Sequence, residues 1–203
     1  MNFLAHLYLS ADNPHLLIGN FIADAIPGNK FTHLPARVQQ GILLHRQIDT
    51  FTDAHPVVRK SKRRLHERYG HYDGVIIDIF YDYFLAKHWQ QYSQIPLQLY
   101  TQRVYELLQT NFQILPEKTQ QLLPYMIQQD WLYNYQYLEG IQRVLVGVNN
   151  RTKGRSKMDV ALEDLIALEE EFYTDFRQFF KDLRIFSEAK INALNLVAKP
   201  TQL

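Results

Sequence analysis

His45, Asp49 and Asp53 follow one another at four-residue intervals in GILLHRQIDTFTDAH, residues 41–55. On an α-helix, an i, i+4, i+8 spacing places an imidazole and two carboxylates along nearly one face, which is a metal-ligand spacing. A largely apolar helix that turns ionisable groups to one side must either expose that side or use it, because unpaired buried charge is costly. Three further segments carry such groups. His6 lies in NFLAHLYLS, Asp24 in IGNFIADAIPG, and Asp78 and Asp82 stand one turn apart in DIFYDYFLAKHW. Each has a bland explanation when taken singly. His6 reads as a hydrogen-bonded core imidazole, Asp24 as the partner of a basic neighbour, and Asp78 or Asp82 as the ion-pair partner of Arg46 or Arg37.

The combination points further. Carboxylates that share a dry site repel one another unless a cation or protons neutralise them. One divalent cation held by His6, Asp24, His45, Asp49, Asp78 and Asp82 accounts for all four segments, with Asp24, His45 and Asp49 as the candidate catalytic residues. Asp53 stands at the lead-in to the next helix and is left out of this set. Arg46 is a candidate to bind a substrate phosphate or to pair with a carboxylate. Imidazole and carboxylate suit zinc, manganese, iron or magnesium. A metal with open coordination positions lowers the pKa of a bound water and polarises a P–O bond, the usual logic of phosphoester hydrolysis.

Composition narrows the alternatives. The chain has 203 residues, 46% of them hydrophobic, enough for one well-buried core, so residues 1–203 read as a single domain. There is no Cys, which excludes disulfides, a thiolate nucleophile and a Cys-ligated zinc site. The Gly residues form neither GxGxxG nor GxxxxGK[ST], so neither phosphate-binding loop is present. No apolar run approaches the roughly 20 residues of a membrane span, and the start lacks the basic region of a signal peptide, so a cytoplasmic location is expected. The net charge of +1 conceals one basic segment, RKSKRRLHER at residues 59–68, with six Lys or Arg against one Glu. Arg59, Lys60, Lys62, Arg63, Arg64 and Arg68 could hold an acidic partner; without interleaved aromatics they are a poor nucleic-acid site.

Apolar residues recur at three- and four-residue intervals almost throughout, so the fold is expected to be all-α, a multi-helix bundle. The pattern predicts a short apolar segment to Ser10, a helix from Pro14 to about Ile26 capped by Asn13, a central helix from Pro35 to about Thr52, and a basic helix from Pro56 to Gly70. A buried helix follows from Gly74 to about Trp89, with Asp73 as its cap. Residues 1–92 thus read as the helices of the candidate metal site, where ionisable residues on apolar segments are concentrated. Residues 93–203 read as packing helices: Leu97 to Phe112, Pro116 to about Gln129 with a kink at Pro124, Trp131 to Val148, a loop at 149–156, and an amphipathic segment from Met158 to about Asn195.

The segments NFLAHLYLS, IGNFIADAIPG, GILLHRQIDTFTDAHP and DIFYDYFLAKHW, in that order, resemble the acyl carrier protein phosphodiesterases, a family similar to the HD-type metal-dependent phosphohydrolases. QDWLYNYQYLEGIQRVLVG resembles the same family's W-L-x-x-Y segment. The resemblance implies an HD-like helical metalloenzyme that removes 4′-phosphopantetheine from holo acyl carrier protein, with manganese as the expected ion and the acidic carrier protein as partner of the basic helix. It also singles out Asp24, in the family's GN-x-x-AD segment. The central helix departs from the HD pattern, having His45 and Asp49 four apart and no adjacent His-Asp pair. Two other readings remain open from the residues: an HD-like enzyme acting on a nucleotide or other small phosphodiester, and a helical binding module whose Asp and His residues are structural ion pairs.

Overall fold

The computed structural model describes residues 1–197, with side chains as far as Leu194. The described residues form helices and turns with no strand. The helices are α1 (Phe3–Tyr8), α2 (Pro14–Ile22), α3 (Ala36–Ala54), α4 (Pro56–Tyr69), α5 (Asp73–Lys87), α6 (Leu97–Thr110), α7 (Glu117–Gln128), α8 (Trp131–Asn134), α9 (Leu138–Arg151), α10 (Ala161–Ala167) and α11 (Glu169–Val197). Asn13 caps α2 by accepting from the Leu16 amide, and Pro14 occupies the first helical position, where no amide hydrogen is needed.

α5 is the axis of the core. Its Ile76, Ile77, Phe80, Phe84 and Leu85 are wholly buried, because apolar residues occupy nearly its whole circumference. Phe172, Phe176 and Phe179 of α11 pack on Phe80, Tyr81 and Phe84 in tilted and edge-on contacts. α4 lays Val57, Val58, Ser61 and Leu65 into this core and keeps Arg59, Arg63 and Arg68 exposed, while Arg64 turns inward to Asp175.

One crossing governs the functional end of the molecule. α2 and α3 meet through Gly19 and Gly41, backbone against backbone. A Cβ on Gly19 would lie 2.0 Å from the Val38 carbonyl oxygen, and one on Gly41 would lie 2.3 Å from that of Leu16. Only glycine permits this approach. Asn20 follows Gly19 directly and His45 stands one turn beyond Gly41, so the crossing presses their side chains together.

Several boundaries differ from the sequence expectation. Asp73, expected to cap α5, is instead its first helical residue, and its carboxylate pairs with His66 Nδ1 at 2.8 Å. The helix expected over Trp131 to Val148 is broken at residues 135–137, where Gly140 packs so closely that a Cβ would lie 1.9 Å from the Asn134 carbonyl oxygen. The loop expected at 149–156 begins later, because α9 runs to Arg151; the turn beyond it is tied by Ser156 Oγ donating to Asn149 Oδ1 and Thr152 Oγ1 donating to Ser156 Oγ. The expected Met158–Asn195 segment divides at Leu168 into α10 and α11, with α10 held to α4 by Tyr69 and Arg68 on Asp164.

Candidate metal centre

α1, α2, the turn after α2 and α3 bring His6, Asn20, Asp24, His45 and Asp49 to one place. The imidazoles of His6 and His45 stack with centroids 3.9 Å apart. Asp49 Oδ1 lies 3.1 Å from His6 Nε2, and its Oδ2 lies 3.1 Å from His45 Nε2. Asp24, on the short 3-10 turn Ala23–Ala25, places Oδ1 3.1 Å from His45 Nε2. Nitrogen or oxygen atoms of His6, His45 and Asp49 all fall within 4.8 Å of one another, close enough to share an ion.

Asn20 fixes the chemistry of both rings. It is wholly buried, and its Nδ2 donates to the His6 carbonyl oxygen at 2.8 Å and to Ser10 Oγ at 2.9 Å. A carbonyl can only accept, so the amide orientation is settled and Oδ1 must serve as the acceptor. That Oδ1 is 2.9 Å from His6 Nδ1 and 3.0 Å from His45 Nδ1, while the Asn20 carbonyl oxygen is 2.9 Å from His45 Nδ1 as well. Both rings therefore carry their proton on Nδ1. In the neutral ring the Nε2 lone pair then faces the carboxylates, the orientation that outer hydrogen bonds impose on metal-ligating histidines.

The electrostatics suit a bound cation. Burial lowers the His6 pKa, and the neighbouring His45 lowers it further, to about 4, so His6 is neutral at physiological pH. Its Nε2 is shielded from solvent and has no hydrogen-bond partner; Asp49 is near, but off the direction of a hydrogen bond. An orphaned lone pair beside a carboxylate is a repulsive contact that a cation between them turns into coordination. Burial also acts to lower His45, but Asp24 and Asp49 outweigh it and raise its pKa to about 9. Asp49, which burial alone would raise, is held well below the usual carboxylate range by the two histidines, and Asp24 is lowered chiefly by its hydrogen bond to His45. The residues present thus fit a divalent ion held by two neutral imidazoles and one or two carboxylates.

Other expected site residues lie elsewhere. The carboxylate of Asp82 is wholly buried and accepts from the Leu4 and Ala5 amides at 2.7 and 3.2 Å, so it caps the start of α1 and joins no ligand group. Burial raises its pKa to about 7. Asp78 pairs with the α-amino group of Met1 at 2.9 Å. Arg46 projects away from the cluster; it donates to the Ile26 and Gly28 carbonyl oxygens and lies over the Phe31 ring, holding the segment after Asp24. Arg64 and Lys60 both bind the buried Asp175 of α11, at 2.6 and 3.1 Å, and Arg68 pairs with Glu163 and Asp164. Lys62 is 3.5 Å from Asp53, whereas Arg59 and Arg63 are exposed and make no salt bridge among the described residues. Asn20, Ser10 and the two crossing glycines are absent from the sequence-derived set. The available signal was a lone amide in the apolar run Leu16–Ile22, one helical turn before Asp24.

A family model for acyl carrier protein phosphodiesterase matches residues 1–183. The chain belongs to the acyl carrier protein phosphodiesterase family. Proteins of that name from Salmonella agona strain SL483 and Salmonella dublin are each 35% identical to it over 178 residues, covering 85% of this chain and 92% of theirs. One from Salmonella paratyphi A is 34% identical over the same lengths. No solved structure matches the chain. The match of the acyl carrier protein phosphodiesterase model spans α1 through α10 and about the first half of α11, so it takes in the whole histidine and aspartate cluster.

Proposed function

We propose that the protein is a divalent-metal-dependent phosphodiesterase that hydrolyses the bond between 4′-phosphopantetheine and the serine of holo acyl carrier protein, releasing the apo carrier. Family membership supports the reaction class and the substrate. The observation that supports the metal is the orphaned Nε2 of His6, which, like His45 Nε2, lies 3.1 Å from an Asp49 carboxylate oxygen. His6, His45 and Asp49 would hold the ion, with Asp24 beside it; manganese is the ion we expect. When bound, such an ion supplies an acidic water and stabilises charge on the phosphate oxygens.

The protein's own groups divide the remaining work. Asn20 keeps both Nε2 lone pairs turned inward. Asp24 is the most exposed member, with 80% of its side chain accessible, and it lines a cavity beside the cluster. That exposure supports Asp24 as the base that would accept a proton from the attacking water and return it to the serine oxygen as the P–O bond breaks. Arg59 and Arg63 give an acidic carrier a positive surface to approach. A cytoplasmic location belongs to the same reading; among the described residues no helix is long and apolar enough to cross a membrane.

The test is mass spectrometry of holo acyl carrier protein incubated with the enzyme. Loss of the prosthetic group with manganese, and none with a chelator, is the expected result. An unchanged carrier under every divalent metal tried would overturn the proposal. Hydrolysis of nucleotides or simple phosphodiesters in place of the carrier would shift the substrate to a small molecule.

A further inference from the structure

α9 turns Gly140, Arg143, Val144, Gly147, Val148 and Arg151 to one side, at the spacing of a single helical face. All six line a cavity of about 620 Å³ that also takes in Phe3, Ile79 and Trp131 and reaches Asp24 of the metal centre. The two glycines on this face differ in kind. Gly140 is demanded by packing, because a Cβ there would collide with the Asn134 carbonyl oxygen. Gly147 is not: no atom lies within 4 Å of where its Cβ would stand, and its φ is an ordinary helical one. A glycine inside a helix lowers helix stability relative to alanine. Gly147 therefore carries a cost that neither a turn nor a close approach explains. What it provides is open volume in the wall of a cavity that ends at the candidate metal ligands.

We propose that this cavity holds the pantetheine arm of the substrate, phosphate at the Asp24 end and the arm along α9, with Gly147 as the residue that sets the room available to it. The assignment rests on the phosphodiesterase reading above. The arm's chemistry matches the lining: its gem-dimethyl group suits Phe3, Val144 and Trp131, and its two amides suit the carboxamides of Asn2 and Asn134. Arg143 and Arg151 are exposed and make no salt bridge among the described residues, so they add positive potential for an anionic phosphodiester.

The experiment compares the wild-type protein with Gly147→Ala and Gly147→Leu. Calorimetric titration with free 4′-phosphopantetheine in the presence of manganese reads arm binding directly. Turnover of holo carrier reads KM and kcat. Thermal unfolding and manganese affinity report on the fold and the metal centre. Gly147→Leu is expected to unfold at or above the wild-type temperature and to bind manganese as the wild type does, yet to bind 4′-phosphopantetheine at least tenfold more weakly and to show a raised KM for the carrier; Gly147→Ala falls between. A more stable protein with poorer arm binding is the opposite of what a structural role for Gly147 produces. Equal affinity in wild type and Gly147→Leu, or no binding of 4′-phosphopantetheine by the wild type, would overturn the assignment. If the wild type binds the arm but leaves the carrier intact, the proposed reaction fails and the cavity assignment stands; if it hydrolyses the carrier and Gly147→Leu is indifferent, the reverse holds.

Discussion

Asn20→Ala separates the metal-centre reading from a structural one. Truncation removes the Oδ1 that accepts from His6 Nδ1 and His45 Nδ1, but the two rings are not equally affected. His45 keeps the backbone carbonyl of residue 20, whereas His6 loses its Nδ1 partner altogether. The His6 carbonyl oxygen still accepts from Ser10 Oγ, so one buried donor is fully orphaned. Leaving such a group unpaired costs about 1–3 kcal/mol of stability. Freed from Asn20, the His6 proton can move to Nε2 and remove the inward lone pair, and loss of an outer partner of this kind weakens metal binding about 10- to 100-fold. At a manganese concentration about 100 times the wild-type Kd, the wild-type protein gains about 2.7 kcal/mol from the ion, and the variant gains only about 1.4 to 0.4 kcal/mol. The assay is thermal and chemical unfolding with and without manganese, together with direct titration of the ion. Asn13→Ala is the control: it removes the α2 cap on the Leu16 amide, costs about 0.5–2 kcal/mol, and should leave manganese affinity unchanged. Wild-type manganese affinity in Asn20→Ala, or an equal loss in Asn13→Ala, would refute the reasoning.

Gly41→Ala places a methyl group 2.3 Å from the Leu16 carbonyl oxygen, so α2 and α3 must separate; overpacking costs about 1–3 kcal/mol, and hydrolysis should fall more steeply than folded yield, as measured on protein at a temperature where it remains folded. Without metal, stability should fall as pH rises from 6.5 through 9, because folded His45 holds its proton to about pH 9 and the unfolded ring loses it near 6.5; manganese affinity should rise over the same window, since the ion displaces that proton, and a flat pH profile in both measurements would count against the Asp24–His45–Asp49 coupling. Asp82→Ala should cost more stability than Asp82→Asn, because alanine orphans the Leu4 and Ala5 amides while asparagine keeps one acceptor; equilibrium unfolding of the two variants checks this, and equal losses would exclude the capping role.

The outline of the fold was legible because helical periodicity and Pro and Gly punctuation are local. Asn13 before Pro14, the basic helix opened by Pro56, and the apolar circumference of α5 all correspond to observed elements. Boundaries failed where a distant contact decides them. Nothing within Trp131–Val148 announces that the Asn134 carbonyl will press against Gly140, and nothing near Leu168 announces that α4 will reach Asp164.

The site divides along the same line. Spacing alone placed His45 and Asp49 on one face, and the residue types on apolar segments nominated His6 and Asp24, which the structure brings to the same cluster. Spacing could not tell a residue that faces the cluster from one that supports it. Asp78 and Asp82 have the same one-turn separation on a still more apolar helix, yet Asp82 meets the amide end of α1. The error is informative, because Asp82 remains tied to the site at one remove. It anchors the first turn of the helix that carries His6, as Arg46 anchors the segment after Asp24 and as Gly19 and Gly41 bring Asn20 to His45. Polar residues in this chain's apolar segments therefore fall into two layers, one aimed at the cluster and one holding the helices that aim it. Only the angle and closeness of the helix crossings, set by contacts between residues far apart in sequence, assigns each residue to its layer.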